Sequence, residues 1–99
     1  MTVKLLKKEN GCVVILGGRL DTNVAADAEK MLCGFAADYP EMTLDIADLQ
    51  YISSSGLHII LKLHVSLNKS GGQLFIKNTT PQVMEVFEMV GFTTFLNFI

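Results

Sequence analysis

The chain has no long apolar run, no excess of positive charge and no paired cysteines, and each absence removes a class of function. Its longest unbroken apolar segment, Cys12 to Leu16, is far short of the ~18 residues that a membrane-spanning helix needs. Lys4, Lys7 and Lys8 have no apolar stretch of the signal-peptide kind behind them, so a cytoplasmic location is expected. Eight basic residues against ten acidic give a net charge of −2, which is no footprint for nucleic acid. Cys12 and Cys33 form no Cys-x-x-Cys pair, and His58 and His64 fall on different faces of a helical pattern. Metal and redox readings fail on that spacing, and no cofactor is expected. Gly17-Gly18 has neither the length nor the lysine of a phosphate-binding loop. Internal repeats, low-complexity stretches and linkers are also missing.

What remains is an apolar, globular composition. Of 99 residues, 49% are hydrophobic and 18% charged, enough for one self-supporting core and too apolar for a disordered segment. A single domain over residues 1–99 is expected. Val3–Leu6 and Cys12–Leu16 flank Glu9-Asn10-Gly11, and Asn-Gly between apolar runs predicts a hairpin. The second run is apolar on both faces, as in a central strand, while Lys4 and Lys8 suit a charged edge. Gly17-Gly18 is expected to break that strand. Asp21-Thr22-Asn23 is expected to cap a helix with the stripe Val24, Ala28, Met31, Leu32 and Phe35.

Met42, Leu44 and Ile46 alternate as a strand, and Asp48–Ile52 reads as a short connection. A long helix then runs to about Lys69, where Gly71-Gly72 stops it. Leu74–Lys77 completes a strand–helix–strand unit, so its two strands are expected to be parallel. Thr80-Pro81 opens a last helix to Val90, and the tail from Thr93 to Ile99 carries no decisive pattern. The fold class is α/β: a mixed sheet of four or five strands with helices packed against it.

The informative segment is Ile52-Ser53-Ser54-Ser55-Gly56-Leu57. One hydroxyl suffices to cap a helix, and three exceed that need, while the N-terminal end of a helix tolerates an added anion. Composition alone favours capping, and geometry alone does not choose among the three serines. Gly56 lies where a tight turn enters the helix, so valine there is expected to be damaging and alanine better tolerated. Along the helix, the apolar residues cover more than one stripe, and the surplus is chiefly Ile59 and Leu63 beside the polar strip His58, Lys62, Ser66 and Lys69. That surplus calls for cover by a neighbouring helix or by a partner.

These blocks resemble the sulphate transporter and anti-sigma antagonist (STAS) domain, in its small stand-alone form, the anti-sigma factor antagonists. The matching residues are Gly18-Arg19-Leu20-Asp21, Leu44-Asp45-Ile46 with Leu49, Ile52 through Leu57, Gly71-Gly72-Gln73-Leu74, and Val83 to Phe92. They span nearly the whole chain in family order. The resemblance implies a regulatory protein that binds a kinase-type, ATP-bound anti-sigma factor and is released by serine phosphorylation, with a phosphatase to reset it. It implies Ser54 as the phosphoacceptor and places Asp21 close to the serine turn. Asp21, Ser53, Ser55, Gly56, Leu57, Ile59 and Leu63 are expected to form the partner-binding surface.

Ser53 stands where many phosphorylated members carry aspartate. That departure supports an alternative, an accessory subunit that binds a transporter ATPase without any phosphorylation switch. An enzyme is not expected. Ile52 and Gly56 flank the serines in place of the two glycines of a nucleophile elbow, and neither histidine is tied to Ser54 by any motif.

Overall fold

The computed structural model describes all residues from Met1 to Ile99. In chain order the elements are β1 (Thr2–Lys8), β2 (Gly11–Leu20), α1 (Ala25–Asp38), β3 (Glu41–Asp45), β4 (Leu49–Ile52), α2 (Ser54–Lys69), β5 (Gln73–Lys77), α3 (Pro81–Met89), a single 3-10 turn (Phe92–Thr94) and β6 (Asn97–Phe98). The sheet order is β1-β2-β3-β5-β6, with β4 pairing β2 off this path. β1 is antiparallel to β2, and the other pairs are parallel.

Strand alternation sorts the side chains. Cys12, Met42 and Leu74 stand opposite one another across β2, β3 and β5, as do Val14, Leu44 and Ile76, and all six are buried. That face carries the core, completed by Ala28, Leu32 and Ala36 of α1 and by Leu57, Ile59, Ile60, Leu63 and Leu67 of α2. The six-stranded sheet exceeds the expected four or five strands because two short segments pair over long sequence distances.

The first is Leu49–Ile52, expected as a connection, which is β4 because β2 continues far enough to pair with it. Gly17-Gly18 does not break β2. Gly18 takes φ +84, a left-handed value that only glycine reaches without strain, and the register shifts between Gly18 and Arg19. The strand therefore bends, pairing with β3 over Gly11–Ile15 and with β4 over Gly18–Leu20. The second is the tail, whose Asn97–Phe98 adds to β5, with the Ile99 amide donating to the Ile76 carbonyl at 2.8 Å. Phe87, Phe92, Phe95 and Phe98 hold it through ring contacts of 5.1–6.3 Å.

Two smaller expectations are corrected. The hairpin turns on Glu9-Asn10, not Asn10-Gly11, because Gly11 is already committed to ladders with Lys8 on one side and Glu41 on the other. The start of α1 has no side-chain cap. Val24 holds the cap position, and the Asp21 carboxylate accepts from the Asn23 amide instead, at 3.1 Å. In the same helix Met31 is exposed and Ala36 takes its place on the buried stripe.

Candidate functional site

The serine turn joins β4 to α2. The Ser53 amide donates to the Leu20 carbonyl of β2 at 2.9 Å, which locks the end of β4 to the end of β2. Ser53 then becomes the N-cap. Its backbone is extended, its Oγ accepts from the Gly56 amide at 3.2 Å, and its carbonyl accepts from the Leu57 amide at 2.9 Å. This hydroxyl meets an orphan donor of the first turn and is half-buried.

Ser54 is the first residue of α2, exposed, and its hydroxyl enters none of the side-chain hydrogen bonds. Ser55 is half-buried, and its hydroxyl likewise enters none of these hydrogen bonds. Geometry thus distinguishes the serines: Ser53 closes the helix end, and Ser54 presents a free hydroxyl at it. The sequence alone did not divide these roles, because the Leu20 carbonyl that fixes the cap comes from a distant strand.

Gly56 is wedged against that strand. A Cβ there would lie 2.8 Å from Ile52 Cγ1 and 2.9 Å from both Leu20 Cγ and the Leu20 carbonyl oxygen. Alanine there is therefore already costly, because the first carbon collides with backbone before any branching matters.

Asp21 follows Leu20, one residue beyond the anchor of Ser53. Its carboxylate lies 3.6 Å from Arg19 Nε, and the Arg19 guanidinium stacks 4.2 Å over the Tyr51 ring of β4. Asp21 makes no hydrogen bond to the serines. The pairing of Arg19 with Tyr51 was not foreseen by sequence reasoning, because it depends on the β2–β4 ladder.

Three of the expected surface residues are inside. Leu57 is 8% exposed, Ile59 2% and Leu63 0%. The surplus arc of α2 is covered by α1, and the Glu29 carboxylate of α1 meets Lys62 Nζ at 3.2 Å across the seam. These side chains are core, so a contact surface made of Leu57, Ile59 and Leu63 is withdrawn. What faces outward is an open recess of about 490 Å³ between the starts of α1 and α2, lined by Ala25, Ala26, Glu29, Ser54, Ser55, His58 and the edge of Ile59. His64 stands apart, 5.0 Å from the Phe95 ring and bonded to Asn68.

The model of the STAS domain family matches residues 2–99. A candidate anti-sigma factor antagonist of Bordetella bronchiseptica, BtrV, is 36% identical over 72 residues, which cover 69% of this chain and 62% of that protein. The chain thus spans less than two thirds of that relative's length. The anti-sigma-B factor antagonist of Bacillus subtilis is 23% identical over 91 residues, covering 92% of this chain and 84% of its own. Among solved structures, the Bacillus anti-sigma factor antagonist SpoIIAA superposes with a TM-score of 0.83 unphosphorylated (19% identity; 99% of this chain, 88% of that one). Its phosphorylated form gives 0.77 (18% identity; 99% and 91%). With this fold and this match over almost its full length, the chain belongs to the STAS domain family, and the curated relatives it resembles are anti-sigma factor antagonists.

Proposed function

We propose that this chain is a protein-binding switch, docking a kinase-type, ATP-bound anti-sigma factor through the serine turn and leaving it once Ser54 is phosphorylated. The observation that carries the proposal is the free, exposed hydroxyl of Ser54 beside a Ser53 hydroxyl already used as cap. In the transfer, Ser54 Oγ bonds to the γ-phosphorus of ATP as the bond to its bridging oxygen breaks. ADP departs, and the hydroxyl proton passes to the kinase. Serine at position 53 keeps the capping role that aspartate would fill at the same place, so the departure from the commoner family pattern leaves the acceptor's position intact.

Phosphorylation adds about −1.5 to −2 charges to the end of α2. The helix end tolerates that charge while the protein is free, because its amides and dipole favour an anion. On docking, the phosphate would lose its water, and the complex would weaken. A difference of ~3 kcal/mol changes affinity more than a hundredfold. A phosphatase that restores the hydroxyl resets the switch.

The test is the affinity of the anti-sigma kinase for four forms of the protein: unmodified, Ser54-phosphorylated, Ser54→Ala and Ser54→Asp. Unmodified protein and Ser54→Ala are expected to bind alike, the phosphorylated form more than a hundredfold more weakly, and Ser54→Asp in between. Equal affinity of the phosphorylated and unmodified forms contradicts the switch. Binding to a transporter ATPase, with no phosphate transfer, would favour the accessory-subunit reading.

A further inference from the structure

His64 is accounted for by packing, with its ring against Phe95 and its Nε2 3.0 Å from the Asn68 amide nitrogen. His58 is not. It is exposed, enters no side-chain hydrogen bond or ion pair, and lines the same recess as Ser54. The two residues are one turn apart in α2, at the i, i+4 spacing that brings Cβ atoms to about 5–6 Å. Cα–Cβ bonds on a helix tilt toward its N-terminus, so the His58 side chain sets out toward the turn that carries Ser54.

We propose that His58 is the built-in counter-ion of a phosphate on Ser54, an inference that rests on Ser54 being the residue modified. The other charged groups around the recess are already engaged. Glu29, facing it from α1, is paired with Lys62 of the next turn of α2 at 3.2 Å, and Asp21, in the segment before α1, is paired with Arg19 at 3.6 Å. Ala25 and Ala26 present only methyl groups there and leave room for a phosphoryl group. His58 is the one uncommitted side chain lining the recess that can carry positive charge.

Imidazoles ordinarily titrate near 6.5 and the second phosphate proton near 6, roughly, so a neighbouring pair is coupled: the dianion favours imidazolium, and imidazolium favours the dianion. The phosphate is thereby folded over the first turns of α2 instead of extending into water. The charge that rejects the partner becomes a function of pH. As pH rises above the imidazole range, the counter-ion is lost and the full dianion stands alone.

The experiment uses the full chain with phosphoserine genetically encoded at position 54, so that no kinase is needed. Histidine ring signals and the phosphorus signal are followed by NMR through a pH titration. The His58 midpoint is expected to rise by about half a pH unit relative to unmodified protein, while His64 stays where it was. In His58→Gln the phosphorus midpoint is expected to rise by a similar amount, and His58→Lys is expected to restore the low value. A His58 midpoint that moves no more than that of His64, or a phosphorus titration indifferent to His58→Gln, overturns the proposal. Failure of a kinase to label Ser54 would instead refute the acceptor assignment and leave this titration unaffected.

Discussion

The two long helices begin in different ways. α1 starts at a valine with no side-chain cap, although Asp21, Thr22 and Asn23 stand just before it. α2 starts at a serine whose amide, hydroxyl and carbonyl are all bonded, against a glycine with no space for a methyl group. The first helix is held mainly by what its face buries, Ala28, Leu32 and Ala36. The second is held at its very tip as well. A hydroxyl on a tightly held tip is fixed relative to the sheet, which is what the proposed phosphorylation of Ser54 requires.

Substitutions at the two helices sharpen this contrast, beginning with the most damaging. Leu63→Glu or Ile59→Glu buries an unpaired charge between α1, α2 and the sheet and is expected to cost about 4 kcal/mol or more, enough to unfold much of the protein. Loss of the cooperative thermal transition checks it, and a normal melting curve would place these residues on the surface after all. Gly56→Ala is expected to lose about 3 kcal/mol, because the added carbon meets a backbone carbonyl that cannot step aside. Urea midpoints measure it, and Gly56→Val should be worse.

Ser53→Ala removes the cap and is expected to cost about 1 kcal/mol, or roughly 4–8 °C in Tm for a domain of this size. Thr22→Ala and Asn23→Ala, before the uncapped helix, should each stay within about 0.5 kcal/mol. If those two cost as much as Ser53→Ala, the contrast between the helix starts is wrong. The smallest effect concerns pH. Burial raises the Cys12 thiol above its ordinary value of 9.0. Its neutral form then favours the folded state, a contribution present below that value and lost as pH climbs through the raised one. Stability of the wild type should fall with pH above about 9, and Cys12→Ala should flatten that fall.

Much of this architecture was legible from local pattern. The alternation of Met42, Leu44 and Ile46, the Gly71 stop with its φ of +83, and the Thr80-Pro81 start of α3 are all set by neighbouring residues. The errors came where distant chain decides. Leu49–Ile52 becomes a strand only because β2 bends at Gly18 to meet it, and Ile59 and Leu63 are interior only because α1 lies over them. The serine site divides the same way. The Ser-Ser-Ser-Gly run announced a special helix start, but the separation of Ser53 from Ser54 depends on the Leu20 carbonyl, and the place of His58 depends on the recess formed with α1.

The most direct test of the central claim is phosphosite mapping by mass spectrometry after incubation with ATP and the cognate anti-sigma kinase, on wild type and on Ser53→Ala, Ser54→Ala and Ser55→Ala in turn. Ser53→Ala should still accept phosphate, as should Ser55→Ala, while Ser54→Ala should accept none. Label that persists in Ser54→Ala, or that disappears in Ser53→Ala while that variant remains folded and bound, would contradict the division between a capping serine and a free one.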